Sequence, residues 1–185
     1  MPEQRQRPRV HATSDRLILR DFLASDAAAV HAFASDPLVT QFTDWGPNTV
    51  ADTREFMAGV VAQAANEPRV EFSLAAVHAG TDRLIGSVSI GITCVERRHG
   101  ALGFVFHRDF WSQGYATEAT ALLLQFGFGS LRLQRVSATC HPGNVASARV
   151  LEKSGMRFTE RLTSHLFVRG AWRDSLVFAA VRQDG

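Results

Sequence analysis

Apolar and polar residues alternate along several short stretches of the chain, a pattern typical of β-strands. Residues 16–22 (Arg-Leu-Ile-Leu-Arg-Asp-Phe) are the first of these stretches. Two later ones are joined by a turn around Gly80 to Asp82. The further predicted strands cover residues 70–78, 84–93, 100–107, 134–140, 157–168 and 172–182.

Four other stretches are predicted to be helices. Between residues 115 and 128, apolar side chains recur every three to four positions, as on the buried face of a helix. An alanine-rich helix is stopped by Asp36-Pro37, and a loop from Leu38 to Asn48 follows it. The predicted helices cover residues 26–35, 49–65, 115–128 and 144–154.

Strands and helices alternate between residues 100 and 168, which predicts an α/β domain with consecutive parallel strands connected by helices. Neither an internal repeat nor a low-complexity linker interrupts the chain. We therefore expect one domain, residues 13–182, after a flexible polar tail, residues 1–12.

Composition narrows the classes of function. The 185 residues carry a net charge of only +2, which argues against general nucleic-acid binding. The arginines at positions 5, 7 and 9 are interpreted as part of a solvated tail. Two cysteines, Cys94 and Cys140, suggest neither a metal site nor a disulfide framework. We see no membrane-spanning run and no signal-peptide core, so a cytoplasmic protein is expected by elimination.

One loop has the chemistry of a phosphate site. Residues 109–118 (Asp-Phe-Trp-Ser-Gln-Gly-Tyr-Ala-Thr-Glu) lie between a predicted strand and a predicted helix. The start of a helix presents unpaired N–H groups and a positive dipole end, which together favour phosphate. Gly114 permits a tight turn and close approach of a ligand. Spacing alone favours an ordinary turn, but ligands of α/β sheets do bind where strands end and helices begin.

Two central segments carry a family resemblance. Residues 102–118 (LGFVFHRDFWSQGYATE) and 144–158 (NVASARVLEKSGMRF) resemble the GNAT superfamily of acyl-CoA N-acyltransferases, in particular its RimJ/RimL-like branch. Residues 13–20, 36–56 and 170–178 extend the match. The resemblance implies a single GNAT-like domain whose central mixed, mostly antiparallel sheet has about seven strands, flanked by about four helices.

The resemblance also implies acetyl-CoA as acyl donor and no metal. Backbone amides of the loop would bind the diphosphate, the strand before it would contact the pantetheine arm and thioester carbonyl, and residues of the last helix would contact the arm and the departing sulfur. The residues implied in donor binding are Phe104, Val105, Phe106, Trp111, Ser112, Gln113, Gly114, Tyr115, Ala116, Thr117, Asn144 and Ser147.

Acyl transfer to an amine needs a proton acceptor, an oxyanion donor and stabilisation of the leaving thiolate. We expect the N–H of Val105 or Phe106 to be the oxyanion donor and Ser147 to assist the thiolate. A serine bonded to its own helix backbone is the alternative for Ser147. Cys140 is a second catalytic candidate, as an acyl-cysteine, although an inert buried cysteine is the simpler interpretation.

No general base is evident, because Ala101 stands where many branch members have glutamate. The candidates are Glu96, Glu71, Asp44 and His141, and ordered water is the alternative. The residues predicted to contact the acceptor are Phe42, Trp45, Glu71 and His141.

We therefore predict an N-acetyltransferase that moves an acetyl group from acetyl-CoA to a primary amine, on a protein N-terminus or a small molecule, by direct attack in a ternary complex. Two alternatives stay open. One is a non-catalytic acyl-CoA-binding regulatory protein, and the other is a succinyl-CoA-dependent enzyme, which a basic residue such as Arg97 or Arg98 near the thioester would favour. A homodimer is also left open.

Overall fold

The computed structural model describes residues 8–183. In this part of the chain, eight strands form one mixed sheet with four helices against its faces. The strands are β1 (Val10–Thr13), β2 (Leu17–Asp21), β3 (Glu71–His78), β4 (Arg83–Cys94), β5 (His99–Phe106), β6 (Arg135–Cys140), β7 (Arg157–Val168) and β8 (Ala171–Val181). The helices are α1 (Ala27–Ala34), α2 (Val50–Gln63), α3 (Tyr115–Gly129) and α4 (Val145–Lys153).

The strand order is β1-β2-β3-β4-β5-β6-β8-β7, and every neighbouring pair is antiparallel except β5 and β6. The expected α/β domain with a mostly antiparallel mixed sheet is confirmed. The predicted series of consecutive parallel strands is correct for β5, α3 and β6. The next step, from β6 through α4 to β7, also connects two parallel strands, but they are not neighbours, because β8 lies between them and pairs antiparallel with both.

The start of the domain also differs from the prediction. Val10–Thr13, most of which falls in the predicted tail of residues 1–12, forms β1 and pairs with β2. Positions 5 and 7 of the arginine cluster lie outside the described residues. β1 has four residues and a register shift, so its alternation is too short and irregular to be recognised without its partner strand.

The sheet carries one apolar layer on each face, and each layer packs against a different pair of helices. On β3, Phe72 and Leu74 pack in the cluster that includes residues of α3 and α4, whereas Ala75 and Val77 pack in the cluster that includes residues of α1 and α2. Because side chains alternate along a strand, Ser73 lies on the same face as Ala75. Polar residues at these positions therefore face the space beneath α1 and α2.

Candidate active site

Strands β5 and β6 run side by side only at their beginning. Their parallel ladder ends at the pair Ala101–Ser137. Beyond that pair, β5 continues to Phe106 along β4, and β6 continues to Cys140 along β8. The two strands therefore diverge and leave a gap in the sheet.

Backbone groups of β5 point into this gap. The N–H of His107 donates to the carbonyl of Ile85, just beyond the end of β5, at 2.9 Å. Backbone groups of successive strand residues face opposite neighbours, so the amide of Val105 also faces β4, whereas those of Phe104 and Phe106 face the gap. Of the two predicted oxyanion donors, only the N–H of Phe106 has the required direction.

The loop after β5 turns sharply towards α3. Ser112 has φ +59° and Gly114 has φ +84°, both in the left-handed region. The amide of Trp111 donates to the carbonyl of Arg108 at 3.0 Å, and its indole N–H donates to the carbonyl of Phe106 at 2.8 Å. The indole of Trp111 thus anchors the loop to the end of β5, and its backbone N–H closes a turn within the loop.

The amides of residues 112–117 take part in no hydrogen bond of the described chain. The first amide of α3 that bonds within the helix is that of Glu118, to the carbonyl of Gly114 at 3.0 Å. A run of free amides at a helix start, with left-handed residues in the preceding turn, is a strong site for an anion such as a diphosphate. The donors present therefore fit the phosphates of a CoA ester.

The turn between β1 and β2 holds the loop from outside. The Nε of Arg16 donates to the carboxylate of Glu118 at 2.8 Å, and its Nη1 donates to the carbonyl of Gln113 at 3.1 Å. The guanidinium also lies 4.6 Å from the ring centroid of Tyr115. Burial raises the pKa of Glu118, but hydrogen bonds from Ser14 and Arg16 outweigh it and leave the pKa below its ordinary value. Glu118 thus serves to position the start of α3.

Helix α4 begins beside the gap. Asn144 caps it, because its side-chain oxygen accepts from the amide of Ser147 at 3.0 Å. Among the described residues, no hydrogen bond uses the amide NH₂ of Asn144 or the hydroxyl of Ser147. By contrast, the hydroxyl of Ser154, which caps the C-terminal end of α4, donates to the carbonyl of Val150 at 2.7 Å. The helix-bonded alternative for Ser147 is therefore not what this structure has.

Cys140 is the last residue of β6 and His141 follows it, and their side chains have different surroundings. Cys140 is half-buried against the apolar cluster under α3, and burial raises the pKa of its thiol. A protonated thiol is a poor nucleophile, which argues against an acyl-cysteine. His141 stacks on Phe42 with ring centroids 5.1 Å apart, and its Nδ1 accepts from the amide of Gly143 at 2.9 Å.

A cavity of about 860 Å³ lies beneath α1 and α2, and Gly103, Phe104 and Val105 of β5 form one of its sides. The cavity therefore meets the sheet where β5 leaves β6. Trp45 of the loop between α1 and α2, one of the residues predicted to contact the acceptor, lines this cavity. Its polar lining residues are Thr43, Asn48, Asp52, Glu55, Ser73, Ser87 and Ser89.

Two predicted acceptor residues lie outside this lining. Phe42 packs on His141 instead, as described above. Glu71 accepts a hydrogen bond from Gln63 at 2.8 Å, and its side chain leans over Gly91, where an added Cβ would lie 3.4 Å from its Cγ. The structure thus places Trp45 in the cavity and brings Phe42 and His141 together elsewhere.

The other base candidates also lie outside the cavity lining. Asp44 is an exposed loop residue. Glu96, Arg97 and Arg98 lie between β4 and β5, at the opposite end of β5 from the gap. Phe104 lies six positions after Arg98 along the extended chain, which is about 20 Å.

Several residues of this region escaped sequence reasoning. For Asp52 the sequence does contain a local signal, since Thr49-x-x-Asp52 is a capping-box pattern at the start of α2. For Arg173 the sequence contains no such signal. Its Nη1 donates to the carbonyl of Phe42 at 2.8 Å, and Arg169 binds the same loop. A cationic side chain so distant in sequence can be assigned to this loop only from the fold.

Among residues 8–183, no three or more His, Cys, Asp or Glu side chains are grouped to hold a metal ion. None of the helices in that part of the chain is long and apolar enough to cross a membrane.

Comparisons with known proteins agree with this geometry. Residues 16–157 match the family model of the acetyltransferase (GNAT) domain. The N-acetyltransferase YnaD of Bacillus subtilis (strain 168) is 29% identical over 175 residues, covering 95% of this chain and 99% of YnaD. A GNAT-family acetyltransferase from Bacillus anthracis has a TM-score of 0.82 and 30% identity, covering 92% of this chain and 97% of its own.

The structure of Mycobacterium smegmatis RimJ in complex with CoA-disulfide has a TM-score of 0.77 and 26% identity, covering 94% of this chain and 85% of its own. The chain belongs to the GNAT family of acetyltransferases. Its resemblance to the RimJ/RimL-like branch is confirmed, and so is its class as an acyltransferase.

Proposed function

We propose that this chain transfers an acetyl group from acetyl-CoA to a primary amine held in the cavity beneath α1 and α2. The free amides of residues 112–117 carry the proposal, because they lie at a helix start just beyond the strand that borders both gap and cavity. The donor would bind along the gap, and the acceptor would reach it from the cavity. Direct attack in a ternary complex follows from this arrangement.

The chain's own groups have separate tasks in this reaction. The loop amides bind the diphosphate, and the side-chain amide of Asn144 binds the pantetheine arm. The N–H of Phe106 donates to the thioester carbonyl oxygen as it gains charge. When the C–N bond forms and the C–S bond breaks, the hydroxyl of Ser147 donates a hydrogen bond to the departing sulfur.

The amine must lose a proton to attack. Ala101 offers no carboxylate, and the serine hydroxyls that line the cavity can hold a chain of water molecules. We assign the proton to such water, because Ser87 and Ser89 line the cavity and are paired with Val105 and Gly103 of β5, beside the proposed thioester position.

The position of the basic residues favours acetyl-CoA over succinyl-CoA. Arg97 and Arg98 lie in the β4–β5 turn, about 20 Å along β5 from Phe104, too far to neutralise a carboxylate at the thioester. A regulatory protein that only binds acyl-CoA would share the loop, so turnover must separate it from an enzyme.

The test combines binding and turnover. Calorimetry with CoA and acetyl-CoA measures donor binding, and release of free thiol is then followed with small amines and with peptides that have free N-termini. We expect binding of both donors and thiol release with at least one class of amine. Donor binding without any turnover would favour the regulatory protein, and absence of binding would overturn the proposal.

A homodimer and a cytoplasmic location stay predictions. Light scattering after size-exclusion chromatography and fractionation of the producing cell would test them.

A further inference from the structure

The charges around the cavity have one sign. Of the residues that line it, only Asp52 and Glu55 are charged, and both are acidic side chains on α2. The lining contains no arginine, lysine or histidine. A ligand in this cavity therefore meets negative charge and no positive side chain to balance an anionic group of its own.

The two carboxylates differ in the hydrogen bonds that they already accept within the protein. Asp52 accepts from the amide and the hydroxyl of Thr49, each at 2.8 Å. The hydroxyl bond, followed by the amide bond, lowers the pKa of Asp52 below its ordinary value. Glu55, one helical turn further along, takes part in no hydrogen bond or ion pair of residues 8–183. Its carboxylate is available to a ligand.

The floor of the cavity is made of neutral hydroxyls. Ser73 and Ser89 are directly paired across β3 and β4, and Ser87 lies two residues before Ser89 on the same face. Within the described chain, these three hydroxyls form no hydrogen bond with one another or with the backbone. They can donate to and accept from an uncharged polar group, but they cannot neutralise a carboxylate.

Aromatic rings complete the wall. Trp45 is 39% exposed and Phe56 is 37% exposed, and both line the cavity opposite the serines. An aromatic face attracts a cation and repels an anion. The free carboxylate, the neutral hydroxyls and the aromatic rings therefore all favour a cationic ligand over an anionic one.

We propose that the acceptor is a cationic amine that carries no carboxylate or phosphate, selected by Glu55 and the aromatic wall of the cavity. This inference rests on the proposed function, since it names the substrate class of that reaction. An ammonium ion is drawn to Glu55 and then loses its proton near the thioester. An amine with a carboxylate close by is repelled by Glu55, and no cation in the lining offsets the cost of taking that carboxylate out of water.

Amino acids and their decarboxylated amines provide matched pairs for a test: phenethylamine against phenylalanine, tryptamine against tryptophan, and cadaverine against lysine. Within each pair the amino acid has the less basic α-amine, so basicity works against the expected result. We expect kcat/KM to be at least about tenfold higher for the decarboxylated member. Equal values, or a preference for the amino acids, would overturn the inference.

The variant Glu55→Gln identifies the source of the preference. We expect it to reduce the ratio within a pair by about three- to fivefold, because the carboxylate is exposed and partly screened. Glu160→Gln, at an exposed position of β7, is the control and should leave the ratio unchanged. Added salt should reduce the wild-type ratio more than that of Glu55→Gln.

Calorimetry with CoA on each variant distinguishes a failure of this inference from a failure of the proposed function. Unchanged CoA affinity with an unchanged ratio in Glu55→Gln would remove the inference and leave the proposed function intact. Failure of the wild type to bind CoA, or to acetylate any amine, would instead remove the proposed function.

Discussion

The guanidinium of Arg169 donates a hydrogen bond to the backbone carbonyl of Trp45 at 3.1 Å, joining positions 124 residues apart. The same nitrogen lies 3.0 Å from the carbonyl of Thr40 and 2.9 Å from that of Gly46. The turn between β7 and β8 therefore holds the loop that forms one wall of the cavity. The shape of this cavity therefore depends on a residue that does not line it.

Arg169→Ala should loosen this wall. Removing a charged donor that serves several carbonyls costs about 1–3 kcal/mol, and the loop would lose its fixed position. We expect the KM for the amine to rise several-fold with CoA affinity unchanged, as measured by steady-state kinetics and calorimetry. Arg169→Lys keeps the charge and should recover part of the effect. An unchanged KM in Arg169→Ala would contradict a positioning role.

Gly114→Ala should weaken CoA binding. A residue with a Cβ is disfavoured at φ +84° by about 1–2 kcal/mol, and relief of that strain would redirect the neighbouring amides. We expect CoA affinity to fall about tenfold in calorimetry. Gly170→Ala, at φ +82° in the β7–β8 turn, imposes similar strain elsewhere and should leave CoA affinity unchanged. Equal effects of both variants would argue against this loop as the diphosphate site.

Ser147→Ala tests stabilisation of the leaving sulfur. Its hydroxyl is free in the described structure, so its removal should lower kcat by about tenfold, the loss of one hydrogen bond of about 1.4 kcal/mol in the transition state. CoA affinity and melting temperature should change little. Ser154→Ala is the control on the same helix, because that hydroxyl bonds the carbonyls of Val150 and Thr117. The control should lower stability and spare kcat, and the reverse result would exclude Ser147 from catalysis.

His11 should make stability depend on pH. Its ring meets those of Phe72 and Phe126 edge-on, and its Nε2 lies 3.0 Å from Asp21. Burial lowers the pKa of His11 below its ordinary value of 6.5, although the hydrogen bond to Asp21 opposes the shift. The unfolded chain therefore takes up this proton at a higher pH than the native protein does.

His11 thus favours the native state fully above about pH 6.5, and this contribution is lost as the pH falls through the lower native value. We expect the melting temperature of His11→Phe to fall less than that of the wild type between pH 8 and pH 5. His78→Phe is a matched substitution on β3. An equal fall in the melting temperatures of wild type and His11→Phe across this pH range would contradict the role assigned to His11.

Local sequence accounts for most elements and for the donor loop. Strand alternation, the Asp36-Pro37 stop and the glycine before α3 act through neighbouring residues, so their effects can be predicted without the fold. The free amides of residues 112–117 follow from a helix start alone. Asn144 is similar, because a capping asparagine bonds an amide three residues later.

The tertiary structure decided what depends on distant partners. The insertion of β8 between β6 and β7, the pairing of β1, and the contact of Arg169 with Trp45 join segments that no local pattern connects. The cavity is of the same kind, since Glu55 and Ser89 lie on different elements and meet one space only after the sheet and α2 pack together. The chain alone therefore determined the family and the loop of free amides proposed to bind the acyl donor, because backbone amides need only a local turn. The cavity proposed for the acceptor needed the assembled fold, because side chains from several elements define its shape and charge.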